Sequence, residues 1–281
     1  GQAGTPLTTR FVYDYANRLR FVISPEGRVQ EHRYDALGQR SASLNYIGKQ
    51  FDTNAINLWT QNFSNDMSGL VPTPGNGAFV VSNGSLQMNS INQATLVYPS
   101  ARGEPMPLGT TWRFEMTTPA DLKNAAMTAG IDAITASISD PNYRRLRFTL
   151  DGNNGNFLSN VFQGPVNENK LLMAAKPNTS YVAEFVTQAG GLVTMTMYEK
   201  GTNSANSATA SLQFIVGQTP RLILETMLGP SAAGGVAGGV NTFSFDNMSA
   251  HKALNENDLF SWLASPGFDK SNATRIDYAY D

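Results

Sequence analysis

A Tyr-Asp signature that occurs twice near the start, vanishes, and returns at the far end constrains this 281-residue chain more than any other feature. Arg10-Phe11-Val12-Tyr13-Asp14 runs on into Tyr15-Ala16-Asn17-Arg18-Leu19, and Arg33-Tyr34-Asp35 into Ala36-Leu37-Gly38-Gln39-Arg40. Tyr13 and Tyr34 are 21 residues apart, with the turn signal Ser24-Pro25-Glu26-Gly27-Arg28 between them. Asn17 and Gly38 hold equivalent places, and both tolerate positive φ. Each copy therefore reads as strand, tight turn, strand. Asp14 and Asp35 are expected to cap the turns through side-chain to backbone bonds. Tyr13, Tyr34 and Tyr280 are expected to form rungs of an extended sheet, because such hairpins cannot bury a face alone.

The pattern stops near residue 48 and returns as Thr274-Arg275-Ile276-Asp277-Tyr278-Ala279-Tyr280-Asp281. Residues 1–49 and 272–281 are thus predicted to be repeat strands. Residues 50–252 read as an inserted domain that leaves one surface turn and comes back beside it. Residues 253–271 read as a linker. The ends of the chain read as cuts through a longer polypeptide.

Within the insert, period-2 alternation recurs. Trp112, Phe114 and Met116 share one strand face, with Arg113 and Glu115 on the other. Leu146, Phe148 and Leu150 are expected to point inward, and Arg145 and Arg147 outward. Tyr181–Val186 and Leu192–Tyr198 form a predicted hairpin about Gln188-Ala189-Gly190-Gly191. Further strands are expected at 211–215, 221–225 and 242–248, the last preceded by a Gly-rich loop at 231–240. Many strands, Gly/Asn/Pro turns and little helical periodicity predict an all-β, jelly-roll-like two-sheet sandwich between the repeat hairpins. One short helix is expected after it, near Asp258–Leu263, stopped by Ser265-Pro266-Gly267.

Composition narrows the function classes. Only 15% of residues are charged, and the net charge is −2. That gives no electrostatic footprint for nucleic acid. Cysteine is absent, so disulfides and Cys-based metal sites are excluded. No apolar run is long enough for a membrane span. The two histidines, His32 and His251, sit by no nucleophile-elbow pattern, and no P-loop or dinucleotide fingerprint is present.

Tyr34-Asp35-Ala36-Leu37-Gly38-Gln39-Arg40 resembles the signature YDALGR of the YD-repeat family, which includes Rhs proteins, Tc-toxin shell subunits and teneurins. The similarity covers roughly residues 8–48 and 272–281. It implies a secreted or surface-exposed bacterial protein whose strands belong to a β shell. The partners it implies are the remainder of that shell and a cell-surface glycan or protein. Leu58–Phe63, Asn83–Met88, Tyr181–Lys200 and Phe245–Met248 resemble strands of concanavalin-like and laminin-G-like jelly rolls and of carbohydrate-binding modules. That likeness implies a recognition or adhesion module, with Arg113, Glu115, Tyr143, Arg145, Arg147 and Glu184 as carbohydrate-binding candidates on one outward face. It also implies a structural Ca²⁺ held by Asp246 and by the opening segment at Asp66; calcium takes six to eight hard oxygens. The competing reading of Asp246 is a strand-end aspartate bonded to backbone.

The sequence alone thus favours a non-catalytic structural and recognition segment with no catalytic residues and no required cofactor. One alternative is a polysaccharide-cleaving glycosidase on the sandwich, using strand glutamates such as Glu184 and Glu225. No short E-x-D-x-E run places several carboxylates on one strand face. A third reading has the insert only bracing the shell or a partner subunit.

Overall fold

The computed structural model describes residues 8–64, 66–67, 71–72, 79–89, 94–98, 109–123, 126–133, 140–152, 154–188, 190–202, 207–215, 218, 220–226, 242–266, 268–269 and 271–280. The strands, in chain order, are β1 (Arg10–Tyr13), β2 (Leu19–Ile23), β3 (Val29–Tyr34), β4 (Arg40–Tyr46), β5 (Asn57–Gln61), β6 (Val71–Pro72), β7 (Phe79–Ser82), β8 (Ser85–Asn89), β9 (Ala94–Tyr98) and β10 (Thr110–Thr117). They continue as β11 (Ala126–Ala133), β12 (Arg144–Asp151), β13 (Asn156–Gln163), β14 (Val166–Ala174), β15 (Ser180–Thr187), β16 (Leu192–Glu199), β17 (Ala208–Gln213), β18 (Pro220–Thr226), β19 (Thr242–Lys252) and β20 (Ala273–Asp277). Among the described residues one α-helix, α1 (Glu256–Leu263), lies between β19 and β20. The chain forms two compact units, Leu58–Lys252 and Gly1–Asn57 with Ala253–Asp281.

The smaller unit is a five-stranded sheet in the order β1-β2-β3-β4-β20. β20 closes it by pairing antiparallel with β4, Ala273 opposite Tyr46 and Asp277 opposite Ala42. Both Tyr-Asp turns are built as their chemistry demands. Asp14 Oδ1 accepts the amides of Ala16 and Arg18 at 2.9 and 2.8 Å. Asp35 Oδ1 accepts those of Leu37 and Gln39 at 2.9 and 2.8 Å. Asn17 (φ 60) and Gly38 (φ 82) supply the left-handed residue each turn requires. Tyr13, expected as a sheet rung, is instead about half exposed.

α1 begins at a capping box. Asn255 accepts the Asp258 amide, and the Asp258 carboxylate accepts the Asn255 amide, satisfying two orphan donors. Its Leu259 and Leu263 join Val12, Phe21, Ile23, Val29, Leu44 and Tyr46 in this unit's core. A polar cluster lies within the same sheet. Buried Glu31 is held by Arg20 at 2.8 Å, Arg33 at 3.1 Å and the Tyr46 hydroxyl at 2.5 Å. Burial and the neighbouring carboxylate push the Tyr46 phenol up to about 12.

The larger unit is a two-sheet sandwich. One sheet runs β17-β16-β15-β10-β19-β8-β7, with β5 also paired to β19; the other runs β14-β13-β12-β11-β18-β9-β6. The inward faces of the two sheets make one core around Trp112, Phe114, Phe148, Phe185, Phe243 and Phe245. Phe114 sits at its centre, 5.8 Å from the Phe245 ring, 6.2 Å from Phe148 and 6.3 Å from Phe185. The alternation of β10 and β12 predicts these inward residues correctly. The Gly-rich stretch expected at 231–240 lies outside the described residues. The architecture is all-β with one short helix, the jelly-roll-like arrangement anticipated from the strand pattern.

Candidate active site

The six carbohydrate-binding candidates do not share one face. Arg113, Glu115 and Glu184 lie on β10 and β15 in one sheet, whereas Tyr143, Arg145 and Arg147 lie at or on β12 in the other. Strand alternation gives the face of a residue but not the sheet its strand joins, and sheet membership separates the two sets.

On β12, both arginines converge on Asp132 of β11. Arg145 donates to it from Nε at 2.8 Å and Nη2 at 2.7 Å. Arg147 donates from Nε at 2.9 Å and Nη2 at 2.5 Å. Arg147 is buried, contrary to the outward, solvated position its alternation suggests. Gly130 makes this possible. It faces Arg147 across the pair, and a Cβ there would lie 2.7 Å from Arg147 Cγ and 2.6 Å from its Cα. The arginine stem therefore lies across the bare glycine toward Asp132. Tyr143 is also buried, with the Arg145 guanidinium 5.0 Å above its ring, so it offers no open stacking platform. This cluster is a satisfied ion network and holds no free acid or base.

The β10 face differs. Glu115 stands directly opposite Asp246 of β19. A bulge brings this about: the β10–β19 register shifts between Arg113 and Glu115, and Asn247 takes φ 48. Glu115 Oε2 accepts Lys200 Nζ at 2.6 Å and Asn247 Nδ2 at 3.0 Å, and Arg113 Nη2 approaches Oε1 at 3.5 Å. Arg113 also reaches Glu184 Oε1, its cross-strand neighbour, at 3.4 Å. The Lys200 charge also acts on Asp246, favouring its ionised form. Its Oδ1 accepts the Asn247 amide at 2.7 Å.

The two carboxyls are driven apart in proton affinity. Burial would raise Glu115, but the hydrogen bonds from Lys200 and Asn247 and the charges of Lys200 and Arg113 hold it below the usual range. Burial raises Asp246; the Asn247 amide offsets part of this, and the charge of Glu115 adds to it. Neighbouring carboxyls shifted in opposite directions are an arrangement from which acid and base roles can be divided.

The sequence offers Asp246 either as a calcium ligand with Asp66 or as a strand-end aspartate bonded to backbone, and its bond from the Asn247 amide is of the second kind. Asp66 accepts a hydrogen bond from Gln61 at 3.3 Å. Among the described residues no group of three or more His, Cys, Asp or Glu side chains is placed to hold a metal ion. Glu184 and Glu225, the glutamates of the glycosidase alternative, lie in different sheets, on β15 and β18. Lys200 and Asn247 went unnoticed as partners of Glu115, being 85 and 132 residues away in sequence. One signal for Asn247 was present. The buried apolar positions of β19 fall on Phe243 and Phe245 and then on Met248 and Ala250, a slip of phase at Asn247 that marks a bulge.

No protein-family model matches the sequence. No curated protein is similar to it in sequence. Solved structures are similar in fold. The catalytic domain of an endo-1,3-β-glucanase (laminarinase) from Thermotoga petrophila RKU-1 superposes with a TM-score of 0.51 at 11% identity, over 71% of this chain and 98% of that one. The endo-β-1,3-glucanase from Pyrococcus furiosus superposes with a TM-score of 0.51 at 10% identity, over 76% of this chain and 96% of that one. At such identity the likeness is one of fold.

These findings correct the sequence reading. The identification with YD-repeat, Rhs or toxin-shell proteins does not hold: no family model supports it, and the structural neighbours are glucanases. The non-catalytic assignment goes with it, as do the shell and cell-surface partners. The physical reason lies in the motif. Tyr-Asp-x-x-Gly is a way to close a hairpin, with Asp capping and Gly or Asn at positive φ, and that local chemistry does not by itself specify a shell.

Proposed function

We propose that the Leu58–Lys252 unit is a polysaccharide-cleaving glycosidase whose working pair is Glu115 and Asp246. The observation that carries this reading is their direct cross-strand placement with proton affinities displaced in opposite directions. Asp246 is the general acid that protonates the departing glycosidic oxygen. Glu115, kept ionised by Lys200, attacks the anomeric carbon. Arg113 and Glu184 beside it supply polar groups for sugar hydroxyls. Directly opposed strand residues have Cβ atoms about 4.5–5.5 Å apart. One amide, Asn247 Nδ2, donates to both carboxylates, at 3.0 Å to Glu115 Oε2 and 3.4 Å to Asp246 Oδ2; a pair this close suits the short separation, about 5–5.5 Å between carboxyls, at which the second carboxylate is a nucleophile and the anomeric configuration is retained. The two glucanases of similar fold make β-1,3-glucans the first substrates to try.

The test is release of reducing ends from a panel of β-glucans by the full chain. Asp246→Asn is expected to lower kcat on polysaccharide by about 100-fold or more, the scale of general acid catalysis. It should lose much less on an aryl β-glucoside whose leaving group needs no proton. Glu115→Gln is expected to lose both activities. No turnover by the wild-type chain on any glucan, or equal losses for Asp246→Asn on both substrates, would count against the assignment.

A further inference from the structure

The second sheet of the sandwich ends on β14, whose outer edge has no strand partner among the described residues. Edge strands of this kind are usually short, bulged or covered, because their free amides and carbonyls template pairing with another chain. β14 is instead nine residues long. At about 3.4 Å per residue it spans roughly 30 Å. Val166–Leu171 are all exposed, and the apolar Val166 and Leu171 are 64% and 65% accessible.

Its charges have a particular symmetry. Glu168 and Lys170 flank Asn169, and within one chain they pair with each other at 2.9 Å while staying more than half exposed. A two-fold axis through Asn169 would lay a second β14 antiparallel along this edge. Glu168 then faces the partner's Lys170, and Lys170 faces the partner's Glu168. The two chains' Glu168 and Lys170 together make a ring of four alternating charges. Val166 meets the partner's Leu172. Sliding the axis to Glu168 or to Lys170 sets like charges face to face, which cross-strand pairs disfavour. The charge pattern therefore selects one register as well as one orientation.

We propose that β14 is the interface of a symmetric dimer of this chain, pairing edge to edge with the β14 of a second copy about Asn169. The interface is isologous and closes, as a two-fold contact must. It uses a different edge of the sandwich from the Glu115–Asp246 face and does not depend on the function assigned there.

Sedimentation equilibrium on the full chain over a wide concentration range tests it. The wild type is expected to reach twice its 30.4 kDa mass. Lys170→Glu or Glu168→Lys alone places like charges opposite at two symmetric points. Each should weaken the dimer about tenfold or more, at up to about 1 kcal/mol per pair. The combined E168K/K170E exchange keeps the complementarity with its sign reversed, and should restore association. Thermal melts at a concentration low enough to keep all four proteins monomeric should match, since these side chains are solvated. A wild type that stays at 30.4 kDa throughout, single variants that dimerise as well as the wild type, or an exchange that fails to restore association would each overturn the proposal.

Discussion

Replacing Asp132 by Asn removes a negative charge shared by two guanidiniums inside the β11–β12 pair. Arg145 retains some access to solvent, its side chain being 23% exposed, and can reorient. Arg147 cannot, because its side chain is 4% exposed and its stem is laid over Gly130. The variant takes from that buried cation the charge behind its 2.9 and 2.5 Å contacts to Asp132. Removing one member of a buried pair costs about 3–5 kcal/mol. For a unit of this size, that corresponds to a fall in Tm of about 10 °C. Differential scanning calorimetry of wild type and D132N measures it. Adding Arg147→Leu to D132N removes the buried cation and should recover more than half of the loss, since apolar replacements of buried pairs are often tolerated. A D132N loss below about 1 kcal/mol, or a double variant no better than D132N, would refute the claim that Asp132 is the counter-ion of a buried Arg147.

Four further outcomes follow from the same geometry. Gly130→Ala should destabilise the sandwich, because the new Cβ would lie 2.3 Å from the Leu146 carbonyl oxygen and 2.6 Å from Arg147 Cα; a melt unchanged from wild type would contradict the packing. Gly27→Ala should cost about 2 kcal/mol or more, since φ is +84 and the methyl would meet the Phe51 carbonyl oxygen; chemical denaturation gives the value. Asp14→Ala and Asp35→Ala should each cost about 1 kcal/mol through loss of the turn caps, and the double variant should show coupling, because Arg18, paired with Asp14 at 2.8 Å, lies over the Tyr34 ring at 4.7 Å. For Tyr46, the folded phenol holds its proton more tightly than the unfolded one. Its stabilisation is therefore complete below pH 10 and is lost as pH rises through about 12. Denaturation midpoints across that window should fall for the wild type, and fall less for Tyr46→Phe.

Much of the fold could be read from local pattern, because local pattern is what sets it. Alternation placed Trp112, Phe114 and Met116 inward, and Leu146, Phe148 and Leu150 with them. The Asp caps and the Asn17 and Gly38 conformations follow from residue chemistry within a few positions. The helix near Asp258 is legible from its local pattern and its Ser265-Pro266-Gly267 stop. The site was harder, because its contacts are set by register between distant strands. Nothing near Arg147 announces Asp132, and nothing near Glu115 announces Lys200 or Asn247. Asp246 was noticed for its place on the closing strand, but its partner depends on the bulge at Asn247. The Tyr-Asp motif misled in the other direction. Its turn chemistry was read correctly, and more was inferred from it than a turn supports.

The pairing of Glu115 with Asp246 as nucleophile and acid is tested most directly by trapping. The full chain would be incubated with a β-glucoside that carries fluorine at C2 and a good leaving group, digested, and mapped by mass spectrometry. A retaining mechanism predicts one fluoroglycosyl adduct per chain, on the peptide containing Glu115, formed slowly or not at all in Glu115→Gln. An adduct on another carboxylate, or none while the enzyme is turning over substrate, would contradict it.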